Sequence, residues 1–495
     1  MPERRSFSNA LKWAYMGNFG DRGISALVTF VLAGIVGPRD FGLIAIAVIY
    51  INFAQMFLDQ GLAAALIQKK DLEQEDCDSV FWLNLAVSLL FVALTMLLSG
   101  WWARINHAPD LARVLSVLSI CIPIEGLSIV QSAVVRRELD FKTLTIRSNL
   151  SVFIGGVAGL GLAYAGYGVW ALVGMQLVRD FSALLLLWRL GHWRPTFAFS
   201  WTHLQELLRF SVHLFVSGLG TFADQQAGAI LLGVLFGPVA VGLYRLADRL
   251  VGSVVSIATT SIQGVSLPEF SRLQDRPEEL KSGVIACIRL SSMATMPALV
   301  GMAITSGPLV ATLGPKWTPA TNVMKILCLQ AIVFTLSYFT GPLLTAKGKT
   351  HQVAKLVWGS NIIGILFLLA SGALLRNSSV DWQVMGIALA KAIPRVLVIT
   401  PVFVYVLMEI AHFSLRDLVL ALKSPLWASA GIVGVISLIH AIGVANWTRP
   451  AALLIIDTAI GGLAALGILV FLDKQVRGLA LGLANRLGWF STAVR

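Results

Sequence analysis

The sequence predicts an all-α polytopic membrane protein with about fourteen transmembrane helices, and three observations support this fold class. The chain is 57% hydrophobic and only 13% charged, with a mean hydropathy of +0.78, whereas soluble domains carry about 25% charged residues. Its apolar residues form blocks separated by short polar breaks, and a helix of about 20 residues crosses a hydrocarbon core. Lysine and arginine are also distributed unevenly among those breaks.

The apolar blocks define fourteen predicted spans in chain order. The basic N-terminus runs into the first block without a small-residue cleavage site, so a retained first helix is expected. The spans cover residues 13–36, 41–67, 79–102, 111–135, 144–165, 167–188, 210–236, 239–266, 283–313, 320–346, 351–374, 382–408, 425–443 and 450–472. An even number of spans places both termini on the same side of the membrane.

The basic residues between the spans predict the orientation of the chain. In this layout the side that holds the termini carries 22 lysines and arginines, and the opposite side carries 6. Cytoplasmic loops of membrane proteins hold the excess of positive charge, so both termini are expected in the cytoplasm. The same distribution accounts for the net charge of +12, and no nucleic-acid partner is expected.

A seven-residue pattern occurs twice, with an offset of 200 residues. Gly-Pro-Arg-Asp-Phe-Gly-Leu begins at Gly37, and Gly-Pro-Val-Ala-Val-Gly-Leu begins at Gly237. Both lie in short non-cytoplasmic turns between long helices, which predicts two six-helix lobes of the same orientation. The predicted domains are an N-terminal lobe (1–195, helices 1–6), a C-terminal lobe (196–424, helices 7–12), an appended helix pair (425–473) and a cytoplasmic tail (474–495). Apolar spacing predicts an amphipathic helix over 476–490 of the tail.

Ten basic and seven acidic residues fall inside the predicted spans, where each charge costs several kcal/mol in contact with lipid. The first span places Asn18, Asp21, Arg22, Ser25 and Thr29 on one helical face, and the eighth places Arg245, Asp248, Arg249, Ser253 and Ser256 along another stripe. Such stripes can hold helices together by hydrogen bonds. Full charges in corresponding helices of both predicted lobes favour a hydrated central cavity.

The sequence contains no pattern typical of catalysis. A phosphate-binding glycine loop, a nucleophile elbow and metal-ligand spacings are all missing from it, and its four cysteines lie far apart. We therefore expect that the protein is not an enzyme and needs no cofactor or metal.

Five motifs carry a family resemblance: GPRDFGL at 37–43, FLDQGL at 57–62, ALIQ at 65–68, RRELDF at 136–141 and GYGVWAL at 166–172. Together they resemble the Wzx-type polysaccharide flippases, especially the colanic-acid-like branch, of the multidrug/oligosaccharidyl-lipid/polysaccharide exporter superfamily. The resemblance implies two lobes around a cavity that opens alternately to the two sides of a bacterial inner membrane. It implies an undecaprenyl-diphosphate-linked oligosaccharide as substrate, for O-antigen of lipopolysaccharide, capsule or exopolysaccharide synthesis. Membrane lipids, a polysaccharide polymerase and chain-length machinery are the further partners that it suggests.

For such a substrate, cations in the cavity would neutralise the diphosphate, and arginine is favoured because its planar fork binds phosphate oxygens bidentately. The expected substrate-binding residues are Arg22, Arg147, Arg179, Arg245, Arg249, Lys391 and Arg395. The expected ion-coupling or charge-balancing residues are Asp21, Asp59, Asp180, Asp224 and Asp248. In the competing interpretation, Asp21 and Asp248 simply balance Arg22 and Arg249.

Two other functions remain open at this point. A cation-coupled multidrug antiporter would use the same fold with an acid such as Asp21 as its proton site, although the surplus of bases in the spans disfavours cationic drugs. A membrane oligosaccharide polymerase or ligase would be expected to carry a large periplasmic loop, and the predicted outer loops are short.

Overall fold

The computed structural model describes residues 7–59, 61–442, 449–473 and 477–478. Within these ranges the secondary structure is entirely helical, which confirms the predicted all-α fold class. The amphipathic helix predicted for 476–490 falls outside the described residues except for 477–478.

The first part of the chain forms ten helices in the order predicted from the apolar blocks. They are α1 (Phe7–Ile35), α2 (Pro38–Asp59), α3 (Leu62–Gln68), α4 (Gln74–Ile105), α5 (Leu111–Leu118), α6 (Cys121–Arg137), α7 (Phe141–Tyr164), α8 (Val169–Leu190), α9 (Trp201–Phe236) and α10 (Pro238–Arg272).

The remaining described helices are shorter on average because several spans are divided. They are α11 (Pro277–Ile304), α12 (Ser306–Leu313), α13 (Ala320–Phe334), α14 (Thr340–Ala346), α15 (Thr350–Leu374), α16 (Val380–Pro394), α17 (Thr400–Ala411), α18 (Leu415–Ala441) and α19 (Pro450–Leu472). Short 3-10 turns occur at Pro315–Trp317 and Thr335–Ser337, and a π-helical turn, Arg395–Ile399, joins α16 to α17.

Thirteen stretches of the described residues are long and apolar enough to cross a membrane, so the chain is a multi-pass membrane protein. They correspond to the second through fourteenth predicted spans. The predicted first span does form a helix, α1, but it is not among the thirteen. Its polar face, with Asn18, Asp21 and Arg22, lowers the hydropathy of that helix.

The helices differ from the predicted spans in two details. Several apolar blocks contain a break, as at Gly61, where a left-handed conformation (φ 77°) precedes α3. In addition, α9 extends beyond the predicted span 210–236 and begins at Trp201, so the connection between α8 and α9 covers only 191–200. Ser200 causes the early start because its side chain accepts a hydrogen bond from the His203 amide and caps the helix.

The chain divides into two compact units. The first unit comprises Met1–Arg249 with Val357–Lys391, and the second comprises Leu250–Leu356 with Ala392–Arg495. The division into the predicted lobes and appended pair stays a prediction. A core cluster in the first unit packs α3, α4 and α6 around Leu62, Phe81 and Val130. In the second unit, α18 and α19 pack against each other and against α11, with Ile432 and Leu469 in their shared core.

Inside the first unit, the two copies of the Gly-Pro pattern contact each other. Proline starts both α2 and α10, at the first helical position where its missing N–H is harmless. A Cβ atom placed on Gly42 would lie 1.7 Å from the Pro238 carbonyl oxygen, and one placed on Gly242 would lie 1.9 Å from the Pro38 carbonyl oxygen. The contact is therefore reciprocal and has room only for glycine. We call it the Gly-Pro contact.

Candidate functional site

Four arginines of the first unit gather where α1, α8 and α10 approach one another. Arg249 Nη2 donates a hydrogen bond of 2.7 Å to Ser25 Oγ on α1, which fixes the α10 guanidinium beside the polar face of the first helix. Arg249 also interacts electrostatically with Arg22, Arg179 and Arg245. We call these four residues the arginine cluster. It joins the polar faces that the sequence indicated on the first and eighth spans.

Two carboxylates compensate part of this positive charge. Asp21 Oδ1 lies 3.8 Å from Arg179 Nη2, and Asp248 Oδ2 lies 3.4 Å from Arg245 Nη1. Arg245 also donates a hydrogen bond to the side-chain oxygen of Gln226. The guanidinium groups of Arg179 and Arg245 thus each have a carboxylate partner within the cluster.

Both acids have partners in the arginine cluster. Asp248 pairs with Arg245 of its own helix, one of the two neighbouring arginines that the sequence offered it. Asp21 bridges to Arg179 on α8 rather than to its neighbour in sequence, Arg22. Arg22 and Arg249 are both solvent-exposed.

A second group, the mixed-charge cluster, comprises Glu125, Arg147 and Asp180 on α6, α7 and α8. Arg147 Nη1 donates a 2.9 Å hydrogen bond to Ser132 Oγ, and it interacts electrostatically with both carboxylates of the cluster. Asp180 Oδ2 accepts a 2.9 Å hydrogen bond from the Gln176 amide. All three charged side chains are half-buried. Arg147 and Asp180 also interact electrostatically with Arg179, so the mixed-charge cluster adjoins the arginine cluster.

The two basic residues of the twelfth predicted span have different surroundings. Lys391 Nζ donates a 3.2 Å hydrogen bond to the buried hydroxyl of Tyr244, next to Arg245 in the first unit. Arg395 belongs to the second unit, where its guanidinium lies 4.3 Å from the ring centroid of Phe334. The π-helical turn that follows Pro394 begins at Arg395, so the regular helical spacing assumed from the sequence does not hold there.

The two remaining acidic candidates are Asp59 and Asp224. Asp59 is the last residue of α2, is exposed, and interacts electrostatically with Glu125 of the mixed-charge cluster. Asp224 is half-buried on α9 and has an interaction partner of its own.

Sequence reasoning missed several residues that shape these clusters. Glu125 was visible as an acid within a span, but no motif marked it as the partner of Arg147. Tyr244 and Gln226 carry no charge, and their roles follow only from the packing of α9, α10 and α16. Neither role could have been predicted without knowing which helices pack together.

Comparison with solved structures shows which fold the chain has. It superposes on the lipid II flippase MurJ in its inward closed conformation with a TM-score of 0.74 over 94% of this chain and 99% of that chain, at 14% identity. An inward-facing multidrug resistance MATE family transporter of the MOP superfamily gives a TM-score of 0.62 over 81% of this chain and 94% of that one, also at 14% identity. These similarities show the fold.

Comparison of sequences gives a family and a set of relatives. The sequence pattern of the family described as "Polysaccharide biosynthesis protein" matches residues 31–322. The succinoglycan biosynthesis transport protein ExoT of Rhizobium meliloti is 26% identical over 70% of both chains. The lipopolysaccharide biosynthesis protein WzxC of Escherichia coli is 24% identical over 70% of this chain and 72% of that protein. The teichuronic acid biosynthesis protein TuaB of Bacillus subtilis is 24% identical over 74% and 73%.

Proposed function

The chain belongs to the polysaccharide biosynthesis protein family, and we propose that it is a flippase for undecaprenyl-diphosphate-linked oligosaccharides. It moves the head group from the cytoplasmic to the outer leaflet of a bacterial inner membrane, for O-antigen, capsule or exopolysaccharide synthesis. The names of its relatives support this role, since ExoT is a transport protein of succinoglycan biosynthesis and WzxC a protein of lipopolysaccharide biosynthesis. The function is transport rather than catalysis.

The observation that carries the proposal is the gathering of four guanidinium groups in the arginine cluster. Like charges held this close together inside a membrane protein repel one another, and a bound anion relieves that repulsion. A diphosphate bears a negative charge on each phosphate and offers oxygens that arginine binds bidentately. In this proposal Arg22 and Arg249 bind the diphosphate, because both side chains belong to the cluster and are exposed. Arg147 and Lys391, the remaining cationic candidates of the first unit, line the path of the sugar.

Transport follows alternating access. The Gly-Pro contact closes the non-cytoplasmic end of the first unit in this conformation and opens when the head group is released. Both termini are cytoplasmic, as the charge asymmetry between loops predicts. The hydroxyl-rich sugar needs a hydrated path, because each hydroxyl group without a hydrogen-bond partner in hydrocarbon costs several kcal/mol. The polyprenyl tail stays in lipid. A membrane potential, negative inside, favours outward movement of the anion by about 2.3 kcal/mol per charge for each 100 mV.

A multidrug antiporter is the second candidate, and the fold shared with the MATE family transporter favours it. Its usual substrates would be cations, and the arginine cluster repels them. The acids of the mixed-charge cluster would then serve as its proton site, whereas in the flippase they balance Arg147.

The function can be tested with purified protein in liposomes that contain a fluorescent undecaprenyl-diphosphate-linked oligosaccharide. A membrane-impermeant reagent that bleaches the label reports how much substrate has reached the outer leaflet. We expect protein-dependent bleaching beyond the outer-leaflet fraction seen in empty liposomes. The same vesicles, given a proton gradient and a cationic dye, should not transport the dye. Dye transport without movement of the labelled lipid would show that the antiporter assignment is right.

A further inference from the structure

The connection between α8 and α9, residues 191–200, exposes large aromatic side chains. Phe197 is 94% exposed, Phe199 is 52% exposed, and Trp201 at the start of α9 is 56% exposed. Rings of this size rarely stay in contact with water when they could be buried, and clustered exposure of this kind marks an interaction surface.

Hydrogen bonds to the start of α4 hold this connection in one conformation. Asp78 Oδ1 accepts a 3.1 Å hydrogen bond from the Thr196 amide, and the Trp82 indole donates a 2.8 Å bond to the Thr196 carbonyl. Further along, Ser79 Oγ accepts a 2.8 Å bond from the Ser200 amide. The aromatic side chains therefore project from a fixed backbone. Their exposure is part of the folded structure.

A neighbouring contact attaches the start of α9 to the same place. The fully buried Asp76 accepts a 2.7 Å hydrogen bond from Lys69 Nζ and lies 3.1 Å from His203 Nδ1. That hydrogen bond raises the pKa of Lys69 above its ordinary value, so the lysine stays charged. The proximity of His203 to Asp76 places the start of α9 beside α4 at the level of the connection.

The stacking partner of Phe197 indicates where the connection lies relative to the membrane. The Phe197 ring stacks on Trp82, with centroids 5.3 Å apart and planes 18° from parallel. Trp82 follows Asp78, the last charged residue before the long apolar run of α4, by four residues, or about 6 Å along the helix. That depth corresponds to the boundary between hydrocarbon and head groups, where tryptophan and tyrosine are enriched.

Exposed basic side chains flank the aromatic residues. Arg189 lies in the last turn of α8 and Arg209 in the first third of α9, and both are exposed. Arg194 instead donates hydrogen bonds to the carbonyls of Gly191, Trp193 and Trp188, closing the end of α8. Aromatic rings with adjacent guanidinium groups match the layered chemistry of a lipid surface, which is apolar below and phosphate-rich above.

We propose that residues 189–209 form an interfacial anchor, in which the rings of Phe197, Phe199 and Trp201 enter the head-group boundary while Arg189 and Arg209 bind lipid phosphates. The occupant is the lipid surface itself, because the connection continues directly from α8 into α9 and both helices contain spans. The anchor lies on the side that the charge count predicts to be cytoplasmic. It holds the start of α9 at a fixed depth, and it does not depend on what the protein transports.

The depth can be measured with a polarity-sensitive fluorophore on a cysteine introduced as Phe197→Cys, in full-length protein reconstituted into nanodiscs of phosphatidylcholine and phosphatidylglycerol. Cys287 is replaced by serine, since the other native cysteines are buried. The matched control is Asp275→Cys, which places the same label on an exposed position in the connection between α10 and α11. Two quenchers are compared, a lipid with a nitroxide near its head group and aqueous iodide.

We expect the lipid nitroxide to quench the label at 197 several-fold more than the label at 275, and iodide to show the reverse order. Adding Arg189→Gln and Arg209→Gln should lower the lipid quenching at 197. Equal quenching of the two positions by both agents would overturn the proposal. Strong iodide quenching at 197 would also overturn it, because that result is expected if the aromatic surface faces water and binds a protein partner instead. Lipid quenching at 197 that is unchanged by the arginine substitutions would overturn the role of the two arginines.

Discussion

Adding one methyl group at Gly42 should disrupt the Gly-Pro contact. In Gly42→Ala the new Cβ would lie 1.7 Å from the carbonyl oxygen of Pro238, and since carbon and oxygen approach to about 3.3 Å, the two helix starts must separate by about 1.6 Å. The obstacle is backbone, so no side-chain rotation can relieve it. Overpacking of this kind costs about 1–3 kcal/mol, and the better helix propensity of alanine returns at most about 1 kcal/mol. We expect a lower free energy of unfolding.

The reciprocal geometry makes a sharper test possible. Gly242→Ala meets the Pro38 carbonyl at 1.9 Å, so either substitution alone forces the same separation. The double variant should therefore lose clearly less stability than the sum of the single losses. Gly37→Ala is the matched control, because a Cβ there meets nothing within 4 Å. Thermal unfolding of the four proteins in detergent provides the measurement. Unchanged stability in Gly42→Ala, or strict additivity in the double variant, would refute the reasoning.

Two further predictions concern topology and the second unit. Alkaline phosphatase fused after residue 200 should be inactive, because that position is predicted to be cytoplasmic, whereas a fusion after Gly237, in a predicted non-cytoplasmic turn, should be active. Strong activity of the fusion at residue 200 would contradict the predicted orientation. In the second unit, Arg289 Nε donates a 2.9 Å hydrogen bond to the buried carboxylate of Asp473, so Arg289→Gln alone should lower stability by about 1.5–3 kcal/mol by removing a hydrogen bond between charged groups. Adding Asp473→Asn should restore most of the loss in thermal unfolding, and a single variant as stable as the wild type would contradict the pairing.

The fold could be predicted from the sequence because length and hydropathy alone decide which segments can cross a bilayer. The apolar blocks therefore located nearly every span, and the polar face of α1 marked Asp21 and Arg22 as candidate site residues. What those patterns do not contain is the arrangement of one helix against another. The pattern at Gly37 and Gly237 predicted two related halves, yet nothing in it showed that the two copies would touch.

The site was harder to predict, for the same physical reason. Periodicity places a residue on a face of its own helix, but the partner of Asp21 lies far along the chain, on α8, and could be found only from the packing. Arg289 lies near the end of a predicted span, a position typical of a side chain that extends to the membrane interface, whereas in the structure it bonds Asp473 at the end of the last described span. The helix around Arg395 departs from regular spacing because the turn after Pro394 is π-helical.

Removing the guanidinium groups that are proposed to bind diphosphate gives the most informative variants. Arg22→Gln and Arg249→Gln leave the Asp21 and Asp248 ion pairs intact, so the protein should fold normally. Losing one hydrogen-bonded contact to an ionised group costs about 1.5–3 kcal/mol, which corresponds to about a 10-fold to 100-fold slower translocation. Arg39→Gln is the control, because Arg39 is 62% exposed and pairs with Asp110 outside the cluster.

The decisive measurement is the rate at which labelled undecaprenyl-diphosphate-linked oligosaccharide crosses liposomes that contain each of these proteins. We predict that Arg22→Gln and Arg249→Gln slow translocation by at least about 10-fold, while Arg39→Gln retains the wild-type rate and all three variants unfold at the wild-type temperature. Wild-type translocation by the double variant Arg22→Gln/Arg249→Gln would contradict the assignment of the arginine cluster to the diphosphate.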